Sequence, residues 1–359
     1  MHKIQAMGIS EKDLIVKKRK SLSVFIFIFL YFLMLFFVSC NSPKESLYKE
    51  SRNAMYTIVS ITVSSDSEKK SKEAIDKAFN ELNRLERLLN FYSEDSEISM
   101  INKYAGERPV KVSQDTFDII QKAIYVSEQT EGMFDITVGP LVRVWDFQNA
   151  LIPEDQIIKD RTKLIGYKNI ILDKERSTVF LKKKGIEIDL GGIIKGYAAD
   201  KAVDVLKKNG IKSGIVAVAG DIKTFGMRPD NKPWRVGIQN PREKGYNDEI
   251  IAVIDISDLA ISTSGDYQKY FIKDGKRYHH LLNPRTGHPV NDFQSVTIIT
   301  DDAALADAFA TGIFILGQEK GINLLKRLGL DGIIINIDGK IITTDGIKDK
   351  IKFIKEQNR

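Results

Sequence analysis

The segment 186–200, IEIDLGGIIKGYAAD, constrains the fold of this chain more than any other. Its alternating apolar residues predict a strand, and the apolar residues after the Gly191-Gly192 pair predict a helix that begins at a sharp corner. Because glycine lacks a Cβ atom, the backbone at this corner can approach a ligand closely. The helix N-terminus and Lys195 can attract an anion there. The glycines also fit a strand–helix corner that serves packing alone, and their spacing matches neither common phosphate loop.

The first forty residues differ in character from the rest of the chain. Basic residues at 17–20 precede an apolar run at 22–38 and the pair Ser39-Cys40, which is the pattern of a secretory signal. Cys40 is the only cysteine, which excludes an internal disulfide. The run FFVSC resembles a bacterial lipobox, with Phe37 where leucine is usual, and implies lipidation of Cys40. The alternative is an uncleaved transmembrane anchor. Either would tether the protein to a bacterial membrane in the cell envelope, facing the periplasm or the exterior.

The length and net charge of the chain restrict the kinds of protein that it can be. With 359 residues and 43% hydrophobic content, it can bury a substantial core. We expect a lipoprotein signal peptide over residues 1–39, a tether over 40–50 and one domain of two fused lobes over 51–359. The signal segment carries +4 of the net charge of +6, so that +2 remains for the mature part. This is too small a charge to indicate nucleic acid binding.

Strands outnumber βαβ units in the mature chain, which predicts an α+β fold with mainly antiparallel sheets. Apolar residues at helical spacing predict a long amphipathic helix over residues 67–89, and Ser113 is a candidate N-cap for a second helix. The Asp274-Gly275 pair predicts a hairpin. The predicted helices are 67–89, 114–130, 153–164, 193–208, 303–316 and 320–328. The predicted strands are 54–63, 169–172, 178–182, 186–190, 215–219, 234–239, 250–256, 260–263, 295–300, 333–337 and 340–343.

Asp307 and Thr311 are a candidate metal-binding pair. They lie four residues apart in the apolar segment ALADAFATG, so a helix would place the carboxylate and the hydroxyl on one face. A charged group in an apolar helix is unfavourable unless it is paired or bound to a metal. Oxygen ligands suit Mg²⁺, which commonly lies between a carboxylate and substrate phosphates. The alternative is a structural Asp307 that bonds to the backbone or to a buried lysine.

The loop 280–290, HLLNPRTGHPV, concentrates polar groups between two prolines. Arg285 could bind a phosphate through two hydrogen bonds. Histidines at positions 279, 280 and 288 raise the question of zinc, but their spacing matches no known zinc signature. A surface loop with incidental histidines is the alternative.

Further candidates are scattered along the chain. Tyr92 follows the first predicted helix, and its flat face suits stacking on a heterocycle, although a lone tyrosine also fits the edge of a core. Several carboxylates fall at predicted strand ends or in loops, where they serve either as turn and cap residues or as site residues. These carboxylates are Asp135, Asp189, Asp221 and Asp266.

Taken together and in this order, the motifs resemble those of the ApbE-type FAD:protein FMN transferases. The motifs are YSEDSEISMIN, GMFDITVGPL, IDLGGIIKGYAAD, AGDI, STSGDY, HLLNPRTGHPV and ADAFATG. The resemblance extends from about Met55 to about Gly317 and includes the lipoprotein leader. One departure is Tyr56, which stands where the family usually has glycine between Met55 and Thr57.

The resemblance implies a fold related to the T-fold, which holds FAD between its lobes with Mg²⁺ at the pyrophosphate. By position in the motifs, Tyr92 corresponds to the residue that stacks on the flavin nucleotide. The implied metal ligands are Asp307, Thr311 and the backbone carbonyl of Gly192. The further implied FAD contacts are Met55, Met133, Phe134, Asp135, Asp189, Lys195 and Leu281.

The implied reaction transfers FMN from FAD to a Ser or Thr hydroxyl of an acceptor protein and releases AMP. Mg²⁺ and Lys195 would stabilise the charge on the pyrophosphate. His280 is the first candidate for the base that takes the hydroxyl proton, and Asp266 is the second. The family suggests subunits of sodium-pumping or electron-transporting membrane complexes as acceptors. Two alternatives stay open, a Mg²⁺-dependent FAD pyrophosphatase and a flavin-binding lipoprotein without catalysis.

Overall fold

An eight-stranded antiparallel sheet forms the centre of the fold in the computed structural model, which describes residues 45–242 and 250–354. The predicted signal peptide, Cys40 and residues 40–44 of the predicted tether lie outside these residues. The strand order is β1-β2-β6-β7-β10-β13-β14-β15, and every neighbouring pair is antiparallel. Smaller sheets are β16-β9-β8, β3-β5-β4 and β11-β12. The predicted α+β class with mainly antiparallel sheets is therefore confirmed.

The bounds of the elements are as follows. The strands are β1 Ser46–Ala54, β2 Thr57–Ser65, β3 Val110–Lys111, β4 Ile170–Asp173, β5 Thr178–Leu181, β6 Ser213–Val218, β7 Asp221–Phe225, β8 Trp234–Gln239, β9 Ile250–Ile256, β10 Ala260–Gly265, β11 Tyr270–Lys273, β12 Lys276–His279, β13 Phe293–Thr300, β14 Asp331–Asn336, β15 Ile341–Thr343 and β16 Ile351–Phe353. The helices are α1 Glu68–Leu89, α2 Glu97–Lys103, α3 Gln114–Gln129, α4 Gly139–Val142, α5 Asp155–Thr162, α6 Ile194–Lys208, α7 Ala303–Leu316 and α8 Gln318–Leu328.

The large sheet is covered on both faces. Strand β13 shows this most clearly, because Val296 and Ile298 join the main core under the helices, whereas Ile299 joins a second core beneath the sheet β16-β9-β8. Alternate residues of a strand point to opposite faces, so a strand covered on both faces is buried at nearly every position, as β13 is. Helix α7 packs on the helical face of β10 and β13 and is apolar on nearly all sides, as expected for a helix inside a core.

A third, smaller core positions one wall of the site. It contains Leu141 from α4, Ile158 from α5, Phe271 from β11 and Leu282 from the loop that follows β12. This cluster attaches the β11-β12 hairpin to the short helices after residue 138. The described residues from 45 onward belong to one compact unit.

The start of the domain differs from the prediction. Strands β1 and β2 form a hairpin with Ser46 opposite Ser65, so residues 46–50 belong to the sheet and the predicted tether is wrong there. The single strand predicted over 54–63 is wrong in the same region, because a turn at residues 55 and 56 separates two strands. Strand β1 lies at the sheet edge and is largely polar and exposed, so it carries little hydrophobic signal.

The strand predicted over residues 186–190 is also absent from the sheets of the described chain, where Glu187 makes only an isolated bridge to Val138. The amide side chain of Asn102 takes the place of a neighbouring strand. Its Oδ1 accepts from the backbone N–H of Ile188 at 2.6 Å, and its Nδ2 donates to the Ile188 carbonyl at 3.0 Å. A single side chain therefore satisfies backbone groups that would otherwise need a strand.

The described residues contain no helix with both the length and the apolar character needed to cross a bilayer.

We expect Gly196→Ala to destabilise the fold, because α6 and α7 approach too closely for a side chain at this position. A Cβ atom at residue 196 would lie 2.0 Å from the carbonyl oxygen of Ala303. Overpacking of this kind lowers the free energy of unfolding by about 1–3 kcal/mol. Urea unfolding measures the effect. Gly220→Ala is the matched control, since a Cβ at residue 220 meets nothing within 4 Å, and equal stability of the two variants would contradict the prediction.

Candidate functional site

A cavity of about 350 Å³ lies where the glycine corner, helix α7 and the segment after β12 meet. This volume is in the range of small-molecule sites. The structure brings eleven of the thirteen predicted site residues to its walls. These are Tyr92, Met133, Phe134, Asp135, Asp189, Gly192, Lys195, His280, Leu281, Asp307 and Thr311.

A buried charge cluster forms the polar end of the cavity. The Lys195 ammonium, on the first turn of α6, pairs with Asp221 at the start of β7 and lies 3.9 Å from Asp307 Oδ1 on α7. Asp221 also accepts a hydrogen bond from the Ser262 hydroxyl on β10. The Gly196 backbone N–H donates to Asp307 Oδ2 at 3.1 Å. Asp307 thus has both partners of the structural alternative, a backbone N–H and a nearby lysine.

Two carboxylates share one ammonium in this cluster, and the pKa values of Asp307 and Lys195 are both raised. Burial and, second, the negative charge of Asp221 together raise the pKa of Asp307 to about 7, against the opposing effects of Lys195 and of backbone hydrogen bonds. Burial acts to lower the pKa of Lys195, but Asp221 and Asp307 outweigh it and raise that pKa, so Lys195 stays charged. The negative charge at the polar end therefore exceeds the positive charge, which favours a second cation beside Asp307.

Thr311 and the glycine corner meet beside Asp307. The Thr311 hydroxyl is hydrogen-bonded to the Ser264 hydroxyl at 2.9 Å. A Cβ atom on Gly192 would lie 3.4 Å from Thr311 Oγ1 and 3.1 Å from the Phe134 ring. The absence of a side chain at residue 192 therefore lets the main chain lie against the hydroxyl, as the glycine corner predicts. No group of three His, Cys, Asp or Glu side chains in the described residues could hold a metal.

Asp135 holds the loop that carries Met133 and Phe134. Its Oδ1 accepts from the Thr137 backbone N–H at 2.8 Å and from the Thr137 hydroxyl at 2.6 Å, and its Oδ2 accepts from the Tyr167 N–H at 2.7 Å. Burial raises the pKa of Asp135, and these hydrogen bonds oppose the shift. The side chain therefore shapes one wall of the cavity.

His280 and Lys269 form the opposite wall. The His280 backbone N–H donates to the Lys269 carbonyl at 3.1 Å, and His280 Nδ1 lies 3.3 Å from the same oxygen. Burial, together with nearby His279, Lys195 and Lys269, lowers the pKa of His280 to about 4, although the hydrogen bond to the Lys269 carbonyl opposes this shift. The ring is therefore neutral at neutral pH and can accept a proton. The sequence interpretation missed Lys269, although it follows Asp266 by three residues in STSGDYQK.

Two predicted site residues lie away from the cavity walls. Asp266 is buried, and its carboxylate forms two hydrogen bonds of 2.7 Å with Arg242 and lies 3.7 Å from Arg277. It therefore holds neighbouring segments together, and the structure does not bring it to the cavity as a base. Met55 occupies the β1–β2 turn, where its N–H donates to Glu86.

The loop 280–290 and the histidine before it also differ from the prediction that Arg285 could bind a phosphate. Arg285 donates to the Glu131 carbonyl at 2.7 Å and does not line the cavity. His279 is buried, with its ring nitrogen at the Val290 carbonyl. Only His280 of the three histidines faces the cavity.

The sequence interpretation missed an aromatic part of the cavity wall. Trp145 and Phe147 stack with ring centroids 5.5 Å apart and an interplanar angle of 6°. The Trp145 indole N–H donates to the Gly287 carbonyl at 3.0 Å, which connects this wall to the loop after β12. Tyr92 lies at the rim with 70% of its surface exposed. No local motif marks Trp145, because only the fold brings it beside the loop.

Comparison with known proteins agrees with this arrangement. The model of the ApbE family matches residues 55–335. A FAD:protein FMN transferase of Vibrio cholerae is 31% identical over 324 residues, covering 88% of this chain and 93% of that protein. One from Escherichia coli K12 is 32% identical, covering 86% and 92%.

Solved structures show the same fold. The ApbE protein of Thermotoga maritima has a TM-score of 0.79 and 33% identity, covering 85% of this chain and 99% of that one. The flavin transferase ApbE of Vibrio cholerae has a TM-score of 0.75 and 29% identity over the same shares. The ordered motifs, the antiparallel fold and these similarities lead to one assignment. The chain belongs to the ApbE family.

Proposed function

We propose that this protein transfers FMN from FAD to a Ser or Thr hydroxyl of an acceptor protein and releases AMP. The observation that carries the proposal is the cavity, which joins a charged end at Lys195 and Asp307 to an aromatic end at Trp145. A dinucleotide needs both, because its diphosphate is anionic and its rings are flat and apolar. The relatives named FAD:protein FMN transferase support the same activity. Subunits of membrane redox complexes are the acceptors that we propose.

We further propose that Mg²⁺ binds beside Asp307. The Asp307 carboxylate, the Thr311 hydroxyl and the Gly192 carbonyl would hold the ion. The fit rests on the donor set and on charge, because two buried carboxylates share one lysine and the ligands are all oxygens. When bound, the ion would withdraw charge from the diphosphate.

The residues of this chain have separate roles in the proposed reaction. Lys195 would stabilise the charge that develops on the diphosphate as the bond between the FMN phosphorus and the bridging oxygen breaks. The acceptor hydroxyl oxygen forms the new bond to that phosphorus, and AMP leaves with the bridging oxygen. His280, neutral at neutral pH, would take the hydroxyl proton.

The remaining wall residues would bind and orient the dinucleotide. Tyr92 at the rim would stack on the flavin, and Met133, Phe134 and Leu281 would supply apolar contact. Asp189 accepts from the Gly191 N–H at 2.7 Å, which fixes the glycine corner, and we keep it among the proposed FAD contacts. Met55 lies at the β1–β2 turn and not on the cavity wall, and it stays a proposed FAD contact.

Hydrolysis of FAD by water and FAD storage are the competing functions. Incubation with FAD, Mg²⁺ and a candidate acceptor subunit, followed by intact mass analysis, separates the three. A gain of one FMN by the acceptor supports transfer. Free FMN without that gain indicates a pyrophosphatase, and bound intact FAD indicates a flavin-binding lipoprotein; either result would overturn the proposal.

We expect Asp307→Asn to abolish most of the transfer activity. The amide removes the negative charge that would bind the metal, so the Mg²⁺ concentration needed for half-maximal activity should rise at least about tenfold, as expected for losing a charged contact. Asp301→Asn is the matched control, because Asp301 is an exposed aspartate just before the same helix. An unchanged Mg²⁺ dependence of Asp307→Asn would exclude Asp307 as the metal ligand.

We expect His280→Ala to bind FAD but to lose transfer by about 100-fold or more, the typical contribution of a general base. Flavin fluorescence titration measures binding, and acceptor mass measures transfer. Added imidazole should restore part of the activity, because it can replace the missing ring. His288→Ala is the control, since His288 belongs to the same loop but does not line the cavity. Normal transfer by His280→Ala would remove His280 from the mechanism.

We also propose that the protein is a lipoprotein anchored through Cys40, on the cell envelope side of a bacterial membrane. The basis is the basic and apolar leader that ends in FFVSC. Cys40→Ser should prevent incorporation of labelled palmitate, because the lipid is attached through the cysteine. An unprocessed Cys40→Ser protein that stays in the membrane would also fit this account, whereas labelling equal to that of the unaltered protein would contradict it.

A further inference from the structure

The turn between β1 and β2 is unusual for its residue types. Met55 and Tyr56 connect the paired residues Ala54 and Thr57, with φ values of 54° and 57°. A two-residue hairpin loop with both φ values positive favours asparagine and glycine. A residue with a Cβ atom is strained in this conformation. Tyr56 therefore occupies a position where glycine would fit the backbone better.

The Tyr56 ring gains little from burial, because 77% of its surface is exposed. Its hydroxyl, however, accepts a hydrogen bond of 2.6 Å from Asn90 Nδ2. The other end of the same amide, Asn90 Oδ1, accepts from the Tyr92 backbone N–H at 2.8 Å. One amide side chain thus connects the strained turn to the main chain of Tyr92.

Tyr92 is the cavity residue that depends most on such a connection. It lines the cavity while 70% of its surface is exposed. Its ring packs edge-on against Phe91 with centroids 5.0 Å apart and an interplanar angle of 79°. A ring that is largely exposed takes its direction mainly from its backbone. The bond from Asn90 therefore helps to set where the Tyr92 face lies.

We propose that Tyr56 is a positioning residue for FAD binding, acting through Asn90 on Tyr92. The inference rests on the proposed function, since the ligand is the FAD assigned to the cavity above. Tyr56 is strained although it is exposed, and its hydrogen bond with Asn90 connects it to the rim of the cavity. Strained backbone is often found at functional positions. The planar flavin or adenine ring is the part of the ligand that Tyr92 would face.

Two substitutions at one position separate this role from a structural one. Tyr56→Phe removes only the hydroxyl, and we expect the dissociation constant for FAD to rise roughly two- to tenfold, as for loss of one hydrogen bond, with an unchanged melting temperature. Tyr56→Gly should raise the melting temperature, because glycine relieves the strained turn, and should weaken FAD binding by a similar factor. A merely structural role would move stability and binding in the same direction.

The titration uses FAD itself, in the absence of an acceptor protein, and follows flavin fluorescence. Tyr125→Phe is the matched control, because Tyr125 is also partly exposed and packs on Phe309 away from the cavity. In a Tyr92→Ala background, Tyr56→Phe should have no further effect. A persisting effect would overturn the positioning role, because Tyr56 would then act without Tyr92.

The outcomes also distinguish the two proposals. If the unaltered protein binds no FAD, the proposed function fails and this inference fails with it. If the unaltered protein binds FAD and both Tyr56 variants bind it equally well, only the positioning role is overturned. Weaker binding by both variants, together with the higher melting temperature of Tyr56→Gly, supports it.

Discussion

The rest of the structure depends on the buried ion cluster of Lys195, Asp221 and Asp307. Each charge comes from a different element, α6, β7 and α7. The two buried carboxylates depend on the half-buried Lys195 ammonium, because an unpaired buried charge is strongly unfavourable. The cluster therefore requires that the two helices cross on the sheet at a fixed place. Gly196 permits that crossing, since its missing side chain lets α6 touch the Ala303 carbonyl.

The same cluster gives the cavity its chemical polarity. With two carboxylates and one ammonium, the polar end has a deficit of positive charge, and burial and the charge of Asp221 raise the pKa of Asp307 to about 7. A cation bound there would complete the charge balance that folding leaves incomplete. The candidate site is thus the part of the core where the buried charges are not fully balanced, which is typical of functional sites.

The walls around this cluster belong to separate cores. The glycine corner and α7 belong to the main core, and Trp145 belongs to the small third core. The loop after β12 contributes Leu281 to the main core and Leu282 to the third core. His280 precedes these two leucines, and its backbone N–H donates to the Lys269 carbonyl. Its low pKa follows from burial among cationic neighbours, so the group proposed as base is kept neutral by the wall in which it lies.

The sequence by itself determined the features that depend on neighbours along the chain. Helix α7 and strand β9 match their predicted bounds, because an apolar run of fixed length and local turn signals define them. The Asp307 and Thr311 spacing likewise follows from helical geometry. The tertiary structure alone decided contacts between distant segments. It pairs Asp221 with Lys195 and Asp266 with Arg242 in salt bridges, and it places Trp145 at the cavity. Such partners follow from the crossing of elements far apart in the chain, which no local pattern encodes.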